Sequence, residues 1–165
     1  TYSNLSVMMC GGDAASVNRA VASAAADYVL LLDSRITSLS EDLVEQLMGY
    51  VQRKDVAMAA ARTSNLEDKI YHAFLVMGID KSFGYAFHQL DKGNNGYFMR
   101  INAPQDVSGV DITCTLIRRA DYMAAGQLDE SMPAEYAAAD LCLKVAQLND
   151  EGSRDSRADE GEDVA

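Results

Sequence analysis

An uninterrupted apolar run, Val-Leu-Leu-Leu at residues 29–32, ends abruptly in Asp33, Ser34 and Arg35. The run lacks the polar alternation of a half-exposed strand, so it predicts a strand buried on both faces, as inner strands of parallel sheets are. In open α/β sheets, ligands bind beyond the carboxyl ends of the strands. The three polar residues are therefore the first candidates for a binding site.

The apolar spacing elsewhere predicts strands and helices in alternation. A strand at residues 5–10, a helix capped by Asp13 and the strand at 28–33 predict a right-handed parallel crossover. The later predicted elements are a helix from Ser40 to about residue 54, strands at 56–61 and 107–117, a helix at 120–125 closed by Gly126, and a helix at 136–148. Alternation of this kind predicts an α/β domain.

Residues 63–106 interrupt this alternation. They contain four glycines, the pair Asn94-Asn95, and only short strand-like pieces at residues 70–77 and 97–101. A long irregular segment inside a compact domain is typical of a binding or lid segment.

Composition sets the limits of the domain. The 165 residues are 48% hydrophobic, enough for one buried core. The net charge is -11, and residues 150–165 hold seven acids against two arginines. We therefore predict a domain over residues 1–149 and an acidic, disordered tail over 150–165. The mildly acidic body argues against nucleic-acid binding, which needs a concentrated basic face.

The cysteines indicate the compartment, and the histidines bear on zinc binding. Cys10, Cys114 and Cys142 are odd in number and lie among apolar residues, which is typical of free thiols in a reducing compartment. The two histidines have no partner at zinc-ligand spacing. No apolar run approaches the length of a membrane span. We expect a cytoplasmic protein, or one held at the inner face of the membrane through partners.

Five segments, in this order, resemble the family 2 glycosyltransferases. They are Ser-Val-Asn-Arg-Ala-Val at 16–21, Asp-Tyr-Val-Leu-Leu-Leu-Asp at 27–33, the strand at 110–117 with two arginines after it, Gly-Gln-Leu-Asp-Glu at 126–130, and Asp-Leu-Cys-Leu-Lys at 140–144. Residues 84–88 and 96–98 look closest to the O-antigen and surface-polysaccharide branch. The resemblance covers residues 16–148.

The resemblance implies a Rossmann-like, mostly parallel sheet flanked by helices, of the nucleotide-diphospho-sugar transferase type. It implies transfer of a sugar from a nucleotide-diphospho-sugar to a saccharide acceptor, with Mg²⁺ or Mn²⁺ as cofactor. The chain opens where the family's middle strands begin, so the sheet is expected to be incomplete at its N-terminus. An exposed sheet edge of this kind would favour self-association or docking of a partner.

The same resemblance assigns donor-binding roles to Asp33, Ser34, Arg35 and Asn18. In the family, an acidic triplet ends the strand and its last aspartate meets the metal. Asp33 is retained here as a metal ligand candidate, but Arg35 occupies the metal-meeting position and cannot ligate a cation. Either Arg35 neutralises the diphosphate directly or the metal site is lost.

The position of the family's general base falls on Ala138, which cannot accept a proton. Glu135 and Asp140 are the remaining catalytic candidates, and Asp111 and His88 are candidates for binding the acceptor. Two functions stay open: a glycosyltransferase-like domain, or a non-catalytic module of a larger polysaccharide-synthesis protein that binds a sugar, a nucleotide or a partner. A doubly wound domain of unrelated function is the third alternative.

Overall fold

The computed structural model describes residues 4–79 and 82–159, with side chains through residue 148. The helices are α1 (Ala14–Ser23), α2 (Leu43–Val51), α3 (Arg119–Ala124) and α4 (Ala134–Asp159). The strands are β1 (Tyr28–Leu32), β2 (Met58–Ala60), β3 (Thr63–Ser64), β4 (Ile70–His72), β5 (Leu75–Ile79), β6 (Ser82–Tyr85) and β7 (Cys114–Arg118). A short 3-10 helix spans Tyr97–Met99.

The main sheet has three strands in the order β1-β7-β2, and β7 is antiparallel to both neighbours. Tyr28 pairs with Arg118 on one side of β7, and Met58 pairs with Ile117 on the other. Two further sheets are antiparallel pairs, β3 with β4 and β5 with β6. The prediction of a Rossmann-like, mostly parallel sheet is therefore wrong.

The error has a physical explanation. β1 and β2 are both antiparallel to β7, so they run in the same direction with α2 between them, as a strand-helix-strand pattern predicts. That pattern carries no information on adjacency, and β7, from much later in the chain, lies between the two strands. The parallel crossover predicted for residues 5–33 is missing because residues 5–10 form no strand.

Two apolar clusters cover the two faces of this sheet. The first joins α1, α3 and α4 to the sheet, with Val21, Ile117, Tyr122 and Leu141 buried in it. The second joins α2 to Cys114 and Leu116 of β7. Side chains of β1 alternate between the clusters. The apolar run at residues 29–32 thus reflects helices on both faces and not parallel neighbours.

Predictions that depend on neighbouring residues, such as helix ends, are correct more often than predictions of strand pairing. Asp13 caps α1 as predicted, because its Oδ1 accepts a hydrogen bond from Ser16 N at 2.9 Å. Gly126 ends α3 with the predicted left-handed backbone, at φ 82°. The strand predicted at residues 97–101 is instead a 3-10 helix followed by a turn.

α4 is longer than the predicted helix and runs to Asp159. Residues 160–165 of the predicted tail lie outside the described residues, so its disorder, like the domain boundary at residue 149, stays a prediction. Within the described ranges, no helix is long and apolar enough to cross a membrane.

Candidate functional site

Asp33 and Arg35 form an ion pair on the turn that follows β1. Ile36 N donates to Asp33 O at 3.0 Å, which closes the turn. Arg35 N and Nε both donate to Asp33 Oδ1, at 2.8 and 2.9 Å, and Nη2 donates to Oδ2 at 2.8 Å. These bonds lower the pKa of Asp33 and raise that of Arg35. The Arg35 side chain is nevertheless 72% exposed, so its outer face is open to a ligand.

The divalent cation implied by the resemblance does not fit this arrangement. A hard cation needs open carboxylate oxygens, and both oxygens of Asp33 accept from Arg35. In the part of the chain that the structure describes, no three His, Cys, Asp or Glu side chains come together as a metal site. The residues present therefore do not fit a divalent cation at this turn, and the cation stays a prediction of the resemblance.

Asp111 lies next to this ion pair, on the segment that leads into β7. Asp33 N donates to Thr113 O at 2.8 Å, and Thr113 N in turn donates to Asp111 Oδ1 at 2.8 Å. The other oxygen, Oδ2, accepts from the Tyr85 hydroxyl at 3.2 Å. Burial and the adjacent Asp111 raise the pKa of Tyr85. The phenol is therefore held as a neutral hydrogen-bond donor.

His72 lies beside Asp111, and no role is predicted for it from the sequence. Its Nε2 lies 3.9 Å from Asp111 Oδ1, and its ring packs against Tyr71 and Tyr85 at centroid distances of 4.2 and 4.7 Å. Burial lowers the pKa of His72 below its ordinary value of 6.5, so the ring is neutral at pH 7. Its Nδ1 is buried without a hydrogen-bond partner. Such an atom is costly to leave unpaired.

His88 closes the group from a loop. Its Nδ1 lies 2.8 Å from Tyr71 O, a carbonyl that can only accept, so this geometry assigns the ring proton to Nδ1. Phe87 and Gln89, on either side, have left-handed backbones at φ 59° and 65°. Strained non-glycine residues of this kind cluster at functional sites. We call the whole group the β1-end cluster; it comprises Asp33, Arg35, Tyr71, His72, Tyr85, His88 and Asp111.

The structure thus brings four of the predicted site residues into one cluster: Asp33, Arg35, His88 and Asp111. No local sequence signal indicates that His72 belongs with them. Its partner Asp111 comes from a distant part of the chain, so only the fold pairs the two. Ser34 is also near, exposed on the turn between Asp33 and Arg35.

The predicted catalytic residues lie on α4. Glu135 is exposed in its first turn and is close enough to Tyr85 to raise the pKa of that phenol electrostatically. Asp140 is ion-paired with Lys144, at 2.5 Å between Oδ2 and Nζ. Ala138, the position at which the resemblance expects a base, is 1% exposed. Of the two carboxylates, Glu135 has the clearer link to the β1-end cluster.

Asn18, predicted to bind the donor, lies in the interior between α1 and the turn after α3. Its Oδ1 accepts from the Tyr122 hydroxyl at 2.6 Å and from Leu128 N at 3.1 Å. Its Nδ2 donates to Leu128 O at 2.9 Å and to Glu130 Oε1 at 3.0 Å. All four hydrogen-bonding positions of the amide are therefore used within the fold.

Two concave surfaces are lined by none of the residues of the β1-end cluster. One, of about 790 Å³, lies beside the outer edge of β2, and the other, of about 720 Å³, adjoins Phe74 and Phe87. None of the predicted site residues lines either surface. The candidate site is thus identified by its chemistry and not by the depth of a pocket.

Comparisons with known proteins add one relative. The chain is 32% identical over 130 residues to the protein of Sinorhizobium fredii (strain NBRC 101917 / NGR234) described as "Uncharacterized protein y4gI". The alignment covers 78% of this chain but 14% of that relative, so the chain corresponds to a small part of it. No protein-family model matches the chain, and no solved structure matches it.

Proposed function

We propose that this chain is a glycosyltransferase-like domain that binds a nucleotide-diphospho-sugar through Arg35 in place of a divalent cation. One observation carries the proposal: an exposed guanidinium is fixed by Asp33 at the end of β1, beside a group of tyrosine and histidine rings. The ordered resemblance to family 2 glycosyltransferases supports the same reading.

The chemistry follows from the groups that remain free. Asp33 engages Nε and Nη2 of Arg35, and the Tyr71 side chain lies within reach of the same guanidinium; its exposed outer face is left to donate to a diphosphate oxygen. Tyr71, Tyr85 and His88 offer ring faces and polar edges of the kind that suit a sugar. In an inverting transfer, the acceptor hydroxyl attacks the anomeric carbon, the bond to the diphosphate breaks, and a base takes the hydroxyl proton. We assign that last role to Glu135.

A non-catalytic function is the second candidate, and Ala138 favours it. A buried alanine occupies the position of the family's base. In that case the domain would bind a sugar, a nucleotide or a partner subunit in a polysaccharide-synthesis assembly without transferring anything. For either function we propose a cytoplasmic location, or one at the inner membrane face through partners, supported by the buried free thiols of Cys114 and Cys142.

Calorimetric titration with a panel of nucleotide-diphospho-sugars, with and without Mn²⁺, tests the donor site. We expect binding that does not need Mn²⁺ and that weakens at least tenfold in Arg35→Ala, since one charge-assisted bond to a phosphate contributes about 1.5–3 kcal/mol. Arg53→Ala is the control, because that exposed arginine pairs with Asp55 and lies beside Arg118, at the opposite end of β1 from Asp33. Binding that requires Mn²⁺ would contradict the role of Arg35, and no binding at all would contradict the donor site.

Catalysis is tested separately with Glu135→Gln. If Glu135 is the base, this variant should bind the donor as the wild type does but lose sugar transfer by roughly a hundredfold or more. A wild type that binds donor and transfers nothing to any saccharide tested would support the non-catalytic function instead.

A further inference from the structure

Asp111 is a carboxylate without a charged partner in the β1-end cluster. The Arg35 guanidinium is already paired with Asp33, whose two oxygens accept from Nε and Nη2 at 2.9 and 2.8 Å. In the described ranges of the chain, no lysine or arginine lies within ion-pair distance of Asp111, and the one basic side chain that does is His72, at 3.9 Å. That ring is neutral at pH 7, because burial lowers its pKa. The negative charge of Asp111 is therefore not offset by a paired cation.

Neutral donors hold this carboxylate in place. Thr113 N donates to its Oδ1 at 2.8 Å, and the Tyr85 hydroxyl donates to its Oδ2 at 3.2 Å. The Asp111 side chain is 11% exposed, so little water screens its charge. Charges interact more strongly away from bulk water, because the effective dielectric constant is lower there. A ligand that reaches the Tyr85 hydroxyl therefore meets the field of a carboxylate one hydrogen bond away.

A second carboxylate acts on the same phenol from the first turn of α4. The Tyr136 ring packs edge-on against Phe83 with centroids 5.4 Å apart, and Phe83 packs against Tyr85 at 5.9 Å. These contacts bring the start of α4 beside the cluster. The charge of Glu135 contributes, after burial and Asp111, to the raised pKa of Tyr85. Two negative charges thus act on the ring against which the sugar is proposed to lie.

We propose that the saccharide part of this site accepts an uncharged sugar and rejects a sugar that carries a carboxylate, such as a hexuronic acid. This inference rests on the proposed function, which places the sugar against the tyrosine and histidine rings of the cluster. Arg35 does not compensate, because in that function its exposed face binds the diphosphate. A uronate would therefore bring a third carboxylate beside those of Asp111 and Glu135, where repulsion between like charges is weakly screened.

Calorimetric titration of the full chain with matched donors tests this selectivity. The members of each pair share their nucleotide and differ only at C6: UDP-glucose with UDP-glucuronate, and GDP-mannose with GDP-mannuronate. In any pair that binds, we expect the neutral donor to bind at least about tenfold more tightly than the uronate. The 6-deoxy analogue of each sugar lacks the C6 hydroxyl without adding a charge, so it should also bind more tightly than the uronate.

Two variants test whether the carboxylates cause the selectivity. Asp111→Asn preserves the shape of a buried side chain, and Glu135→Gln changes an exposed one, so the second remains informative if the first fails to fold. Each should reduce the ratio of neutral to uronate affinity at least about threefold. Asp55→Asn is the matched control, because it also removes one negative charge, but from an exposed side chain that pairs with Arg53. Its ratio should equal that of the wild type.

The outcomes separate this inference from the function on which it rests. Equal affinities within a pair, or a 6-deoxy analogue that binds as weakly as the uronate, would overturn the inference and leave the donor site standing. A ratio that stays at the wild-type value in both carboxylate variants would overturn it as well. Binding of no donor from either pair would contradict the proposed function, and the inference with it.

Discussion

Two groups of buried polar side chains in this molecule differ in how completely their hydrogen-bonding atoms are paired. Around Asn18, every donor and acceptor of the amide is bonded to α1's neighbours in the fold. Around Asp111, the carboxylate is bonded but the adjacent His72 keeps an unpaired, buried Nδ1. The first arrangement serves stability alone, because nothing in it is left for a ligand. The second retains bonding capacity and lies beside the exposed Arg35.

The largest loss of stability should come from the group around Asn18, whose hydrogen bonds are all made within the fold. Asn18→Ala removes four hydrogen bonds and leaves the fully buried Tyr122 hydroxyl, whose pKa burial raises to about 12, without its acceptor. We expect a loss of about 3 kcal/mol in the free energy of unfolding, measured by urea titration. Arg19→Ala, next to it on the exposed side of α1, should change stability by less than about 0.5 kcal/mol. A loss below about 1 kcal/mol in Asn18→Ala would break the comparison.

A smaller loss of stability is expected from the group around Asp111. Tyr85→Phe removes one hydrogen bond to Asp111 Oδ2 and should cost about 1 kcal/mol of unfolding free energy. Donor affinity, if the proposed function holds, should fall as well. Tyr136→Phe is the control, because Tyr136 is half exposed and contacts Phe83 through its ring. A larger loss in Tyr85→Phe than in Asn18→Ala would show that the two groups do not differ as described.

The smallest effect is a pH dependence. Burial lowers the pKa of His72 in the folded chain, so as pH falls the unfolded chain takes up the proton first. The stability that accompanies a neutral His72 is thus complete above its unfolded pKa of about 6.5 and is lost as pH falls through that value. His72→Gln should flatten the wild-type decline in unfolding free energy between about pH 7.5 and pH 5.5.

The matched control for this pH series is His88→Gln. It removes the exposed histidine and keeps the buried one, so the steeper decline should remain. Equal slopes for the wild type and His72→Gln would contradict the burial of a neutral imidazole.

The features that the sequence predicts correctly depend on interactions between residues a few positions apart. The Asp13 cap and the Gly126 end of α3 depend on neighbours three or four positions away. The position of Asp33 at the end of a strand is local in the same sense. By contrast, the partners of β1 and β2 are set by β7, whose approach no nearby residue encodes.

The candidate site divides in the same way. The end of the strand at Asp33 could be predicted from the apolar run that stops there, whereas the ion pair that Asp33 forms with Arg35 is seen only in the structure. The pairing of His72 with Asp111 could not be predicted, because it depends on how the irregular segment returns to the sheet. Asp111 also delays the strand predicted from residue 107: its carboxylate binds Thr113 N, and its carbonyl accepts from Thr115 Oγ1 at 2.5 Å, so β7 begins at Cys114.

The central position of β7 has a consequence for how the chain folds. During synthesis β1, α2 and β2 leave the ribosome long before residues 114–118, yet among the residues that the structure describes neither β1 nor β2 has another sheet partner. Pairings between residues so distant in sequence close late and slow folding. Until residues 114–118 emerge, β1 and β2 would remain unpaired apolar strands, and unpaired edges of this kind are prone to association during folding.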